Sequence, residues 1–152
     1  MNFVTKNSIV FEIIFGLGFI VALIVGQTWQ YWGVLASLIL LATLYFLSGL
    51  QETSESGNVM IIALVKIFGV ANAVTVVGIL FQLIDLPGHY SLLVVGLVTL
   101  IIAVFVSMIM ILSNSENSVY LKAKVLRGMA IAIFAALMLL FPGINIVEKT
   151  LT

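Results

Sequence analysis

The stretch IIFGLGFIVALIVGQTWQYWGVLASLILLATLYFLSGLQ, from Ile13 to Gln51, lies between Glu12 and Glu52 and carries no formal charge over 39 residues. At ~1.5 Å of rise per helical residue, it is nearly twice as long as one crossing of a ~30 Å hydrocarbon layer requires. A hairpin of two spanning helices uses that length; a single helix does not. Three further uncharged windows follow, Ile67 to Ile84, Leu86 to Ser115 and Gly128 to Val147. The expected fold is therefore all-α: a polytopic integral membrane protein with five transmembrane helices in one transmembrane domain. The spans are expected at about 8–26, 31–50, 59–84, 90–112 and 119–141.

Composition points the same way. Hydrophobic residues make up 63% of the chain and charged ones 8%, against roughly 25% charged in soluble domains. A soluble fold of this length could not hide so much apolar surface. Six basic and six acidic residues cancel, which leaves no basic stripe for nucleic acid. The absence of cysteine removes disulfides, thiolate metal sites and lipoprotein acylation. His89 alone cannot build a histidine metal site, and no cofactor is expected. The N-terminus has the outline of a secretory signal, with Lys6 before the apolar run from Ile13 to Val25. Glu12 interrupts that outline, and Trp29, Tyr31 and Trp32 stand where a cleavage site would lie, so an uncleaved helix is expected.

The connections are short. Gln27 to Gln30 reads as a tight turn and Gln51 to Asn58 as a polar, acidic linker. Asp85-Leu86-Pro87-Gly88-His89 breaks span three, because Pro87 lacks a donor and Gly88 can take a left-handed conformation. Ser113 to Ser118 forms the next loop, with Ser118 as N-cap, and Pro142-Gly143 stops span five before a short amphipathic tail. Basic residues in the flanks set orientation. Lys6, Lys122, Lys124 and Arg127 share one side and Lys149 lies on the other, which places the N-terminus in the cytoplasm and the C-terminus outside. The expected membrane is the bacterial cytoplasmic (inner) membrane, with Trp29, Tyr31, Trp32 and Tyr90 as an outer aromatic belt.

Ile14-Phe15-Gly16 and Ile67-Phe68-Gly69 open the first and second hairpins 53 residues apart, the pattern of a parallel repeat of a helical hairpin. Inverted repeats, by contrast, are frequent in transporters. Small residues recur every fourth position: Gly18, Ala22 and Gly26 in span one; Gly69 and Ala73 in span three; Gly128, Ala132 and Ala136 in span five. Each series stacks on one helix face and lets another backbone come close. The series can serve packing within the bundle or docking of a partner subunit.

Lys66 lies inside span three. Its stem can snorkel to the cytoplasmic interface, or it can form an intramembrane pair with Glu12, which precedes the first Ile-Phe-Gly as Lys66 precedes the second. Asn72, Thr75 and Gln82 are expected to bond between helices. Asp85 and His89 flank the outer turn and read as ordinary turn residues, with a pH-sensitive pair as the alternative.

The run Gly69-Val-Ala-Asn-Ala-Val-Thr-Val-Val-Gly78-Ile-Leu-Phe81-Gln82, then Pro87-Gly88, then Leu93-Val-Val-Gly96-Leu-Val-Thr99, resembles a known bacterial hairpin. It is similar to the two-helix membrane hairpin of the stator subunit of the gliding-motility and type IX secretion motor. The likeness covers about 35 of 152 residues and rests mainly on glycine spacing. It implies a hairpin packing scheme. The family's proton-handling glutamate falls at Leu100 here, so motor chemistry is not implied.

The sequence contains no nucleophile-base set, catalytic carboxylate pair or phosphate-binding glycine loop. The expected role is a non-enzymatic structural or accessory subunit of a membrane complex. Its partners would be membrane lipids, and itself or other membrane subunits. The alternative is a small transporter or channel component for a neutral or lipophilic solute, built on Lys66, Glu12 and Asn72 in one region.

Overall fold

The computed structural model describes residues 7–24, 27–51, 59–113 and 118–142. Among them are five helices: α1 (Ser8–Ile24), α2 (Gln27–Gln51), α3 (Val59–Leu83), α4 (His89–Ser113) and α5 (Ser118–Leu140). No strand occurs among the described residues. α2 to α5 are long and apolar enough to cross a membrane. α1, with 17 residues, is about 25 Å long. Lys6, Gly26, the linker at Glu52 and Glu55, the loop 114–117 and the tail from Gly143 lie outside the described residues.

Among the described residues, the helix boundaries differ from expectation by more than one residue at one place. Gln27 to Gln30 is the first turn of α2 and not a connecting turn. Nothing before Gly33 breaks a helix, and a polar first turn suits the interface, so α2 extends to 25 residues, about 37 Å. Tyr31 and Trp32 follow in an edge-to-face contact. Trp32 is exposed, as is Tyr90 at the start of α4.

α3 is the centre of the bundle. α2, α4 and α5 pack directly on it, α1 packs on α2, and α4 packs on α5. Helices that associate in lipid have no hydrophobic drive to do so, and close fit is what holds such contacts. Glycine supplies it at the places where a side chain would not fit. Gly69 of α3 lies against Gly49 of α2, and a β-carbon at Gly49 would come within 2.8 Å of the Gly69 Cα. On the other side of α3, a β-carbon at Gly78 would stand 2.9 Å from the Leu93 backbone nitrogen of α4, and one at Gly96 would collide with Thr75. These two contacts pair earlier residues of α3 with later ones of α4, so the helices are antiparallel. α5 reaches α3 where Gly128 receives the Phe68 ring, which is fully buried beside Leu100.

Two ends are closed by polar chemistry. At the end of α3, the Asp85 amide donates to the Gln82 carbonyl (3.2 Å) and the Leu86 amide to the Phe81 carbonyl (2.8 Å). With Asp85 at a φ of 55°, this is a Schellman closure with aspartate in the left-handed position that glycine more often fills. Gly88, at a φ of 89°, completes the reversal as its sequence context suggested. The His89 Nδ1–H donates to the Leu86 carbonyl at 2.9 Å, so His89 serves the turn. At the end of α5, Gln82 Nε2 donates to the Met138 carbonyl at 2.7 Å. In an unbroken helix the amide of residue 142 would serve that carbonyl, but Pro142 has no amide hydrogen. Gln82 supplies the missing donor from α3.

Candidate functional site

Glu12 lies one turn into α1 and Arg127 nine residues into α5. The Arg127 Nη1 donates to the Glu12 Oε1 at 3.0 Å, and both side chains are largely shielded. Seven residues further along each helix, Phe19 and Phe134 meet edge to face with ring centroids 6.4 Å apart. Both pairs are 115 positions apart in the chain, so α1 and α5 run parallel and in register over two turns. The backbones of α1 and α5 nevertheless do not approach closely. The seam is bridged by long side chains, which the reach of a guanidinium permits. Gly16 lies between the two pairs on the same face of α1, and a β-carbon there would meet nothing within 4 Å.

Tyr45 of α2 is buried and lies within the fields of both Glu12 and Arg127. Lys124, one turn before Arg127, adds a second positive field at Glu12. The Glu12–Arg127 contact thus lies in the half of the bundle where α1 and α5 begin, with Tyr45 and Lys124 close enough to act on it electrostatically. Removing one partner of a shielded ion pair leaves the other charge uncompensated, which gives such a pair a firm hold on its geometry. Among the described residues, no group of three histidine or acidic side chains is placed to hold a metal ion.

Pairing with Glu12 was the alternative to snorkelling for Lys66, and the ion pair that Glu12 forms is with Arg127. The expectation matched the two residues by depth alone. Depth does not fix azimuth, and α1 makes no close approach to α3. Lys66 is exposed on α3 and lines a groove between α3 and α4. Asn72 is buried, with its Oδ1 lacking a hydrogen-bond partner in the bundle. Lys66, Glu12 and Asn72 therefore do not form one site. In the sequence Arg127 is one of several basic residues in the flank of span five. The usable signal was its seven-residue spacing from Phe134, matching that of Glu12 and Phe19.

The small-residue series point into the bundle. A β-carbon at Gly18 would stand 3.3 Å from the Ser37 Oγ of α2, and Ala22 fills the space left by Gly33. Gly69 meets Gly49, Ala73 is buried in the core, and Gly128 receives Phe68. Ala132 packs against the Phe68–Leu100 cluster, and Ala136 is half-buried. Gly26 lies outside the described residues. The faces that could have docked a partner are occupied by the chain's own helices wherever these contacts are described.

Leu100, where the resembled hairpin carries glutamate, is fully buried and packs with Phe68, Ala71, Ala103 and Val125. A carboxylate there would sit in a wholly apolar junction of α3, α4 and α5. The chain matches no family model, no curated protein and no solved structure.

Proposed function

We propose that this chain is a non-enzymatic integral membrane protein that crosses the bacterial inner membrane five times and serves as a structural or accessory subunit. The supporting observation is the use of its strongest polar groups as fasteners. Glu12 and Arg127 tie α1 to α5, and Gln82 ties α3 to the end of α5. Apart from Lys122 near the start of α5, the outward surfaces of α4 and α5 are largely apolar, with Ile101, Phe105 and Leu126 exposed, and suit lipid or a neighbouring membrane helix. The register of α1 with α5 supports α1 as the fifth crossing, since a helix held parallel to a spanning one over two turns shares its depth. The N-terminus is then cytoplasmic and the C-terminus outside.

Gentle detergent extraction followed by sizing and identification of co-purifying chains tests the role. A strictly monomeric protein that brings nothing with it overturns the proposal. Topology is tested separately by single cysteines, since the chain has none of its own. His89→Cys should react with an impermeant thiol reagent from outside and Ser115→Cys should not. The transporter reading requires Lys66, Glu12 and Asn72 to converge, and Lys66 lies apart from the Glu12–Arg127 pair.

A further inference from the structure

Lys66 stands at one end of an open groove of about 340 Å³ between α3 and α4, at the lower end of the size range for ligand clefts. The rest of the lining is apolar except for Thr99, and includes Val70, Val74, Val95 and Gly96. The Thr99 hydroxyl donates to the Val95 carbonyl of its own helix at 2.7 Å, so the groove offers one charge and otherwise hydrocarbon. Among the described residues no carboxylate pairs with Lys66, whereas Arg127 has Glu12. Helical side chains lean toward the N-terminus of their helix, so Lys66 leans toward the interface at which α3 begins. From Lys66 to Val74 the groove runs about 12 Å deeper along the helix. Its polarity along the membrane normal is that of a lipid in one leaflet: charge toward the interface and an apolar channel inward.

We propose that this groove binds an anionic glycerophospholipid, with its phosphate at the Lys66 ammonium and one acyl chain along Val70, Val74 and Val95. Charge complementarity selects the occupant, because a zwitterionic lipid brings its own cation to the same place. The inference needs only that α3 and α4 are embedded in a bilayer; it does not depend on the accessory-subunit reading. Retention of the chain in carbonate-washed membranes reports embedding separately.

The test is native mass spectrometry of the full-length protein released from mild detergent, titrated with phosphatidylglycerol or with phosphatidylcholine of the same acyl chains. The wild type should retain phosphatidylglycerol about fivefold better, the preference one basic side chain gives near an anionic lipid surface. Lys66→Gln should bring the ratio close to one. Val70→Trp, at an exposed wall position, should reduce retention of both lipids, and Lys122→Gln should leave the wild-type ratio. Unfolding temperatures of the variants in detergent check that each is folded. Equal retention of the two lipids by the wild type, or an unchanged ratio in folded Lys66→Gln, overturns the proposal. Loss of the ratio in Lys122→Gln alone overturns it as well.

Discussion

The tripeptide Ile-Phe-Gly occurs twice, and the two copies sit in opposite surroundings. In α3, Phe68 is fully buried against Gly128, and Gly69 touches the backbone of α2 at Gly49. In α1, Phe15 stacks on Phe11 of its own helix, and Gly16 has open space before it. One similarity survives. Six residues after each glycine, a side chain packs against a glycine of the next helix: Ala22 on Gly33, and Thr75 on Gly96. The two hairpins share a way of closing on themselves and differ in what lies behind them. α3 has α2 at its back, whereas α1 has only α5 across a gap. Backbone contact through glycine and bridging by long side chains are thus two solutions to the association of apolar helices, side by side in one chain.

The largest expected effect is at the tight copy. Gly69→Ala places a methyl group on the Gly49 backbone, which cannot yield as a flexible side chain would. It should cost about 3 kcal/mol, seen as a large drop in unfolding temperature in detergent; a loss within experimental error would show that α2 and α3 can separate freely. Next is the bridged seam. Arg127→Leu leaves Glu12 without its partner and should cost about 2 kcal/mol, less than the ~3–5 of a fully buried pair because both side chains retain some exposure. The double variant Glu12→Leu/Arg127→Leu should recover most of that loss. Additive single effects in the double-mutant cycle would mean that the pair carries no coupling.

A smaller effect is expected at the polar fastening of α5. Gln82→Leu removes the donor that stands in for Pro142 and should cost about 1 kcal/mol, within the range for hydrogen bonds between membrane helices. Faster hydrogen exchange confined to the last turn of α5 would identify the cause, and exchange that is unchanged would contradict it. The smallest effect, of opposite sign, belongs to the loose copy. Gly16→Ala meets no atom and should stabilise by about 0.5–1 kcal/mol through helix propensity. Destabilisation there comparable to that at Gly69 would erase the contrast between the copies.

Much of this molecule was legible in one dimension. Five helices appear where uncharged windows and turn residues placed them, and the Asp85–His89 reversal follows from Pro87 and Gly88. The extra turn of α2 was missed because Gln27 to Gln30 is polar, and polarity marks an interface as readily as a loop. The Glu12 pairing was missed for a different reason. Several cationic side chains lie at compatible depths, and only the azimuth of each helix distinguishes them. The roles of Gly16 and Gly69 were equally hidden, since identical tripeptides carry no record of which neighbour stands behind them.

By itself the sequence determined the apolar character of the helices and most of the secondary structure. Within a bilayer, uncharged runs of this kind would leave the backbone no hydrogen-bond partner but itself, and a helix meets that demand locally. Which helix became the centre, which glycine was pressed against a backbone and which cation found Glu12 were decided by tertiary packing. Those outcomes depend on the rotation and order of helices around α3, and contacts between residues as distant as Glu12 and Arg127 exist only once all five are assembled.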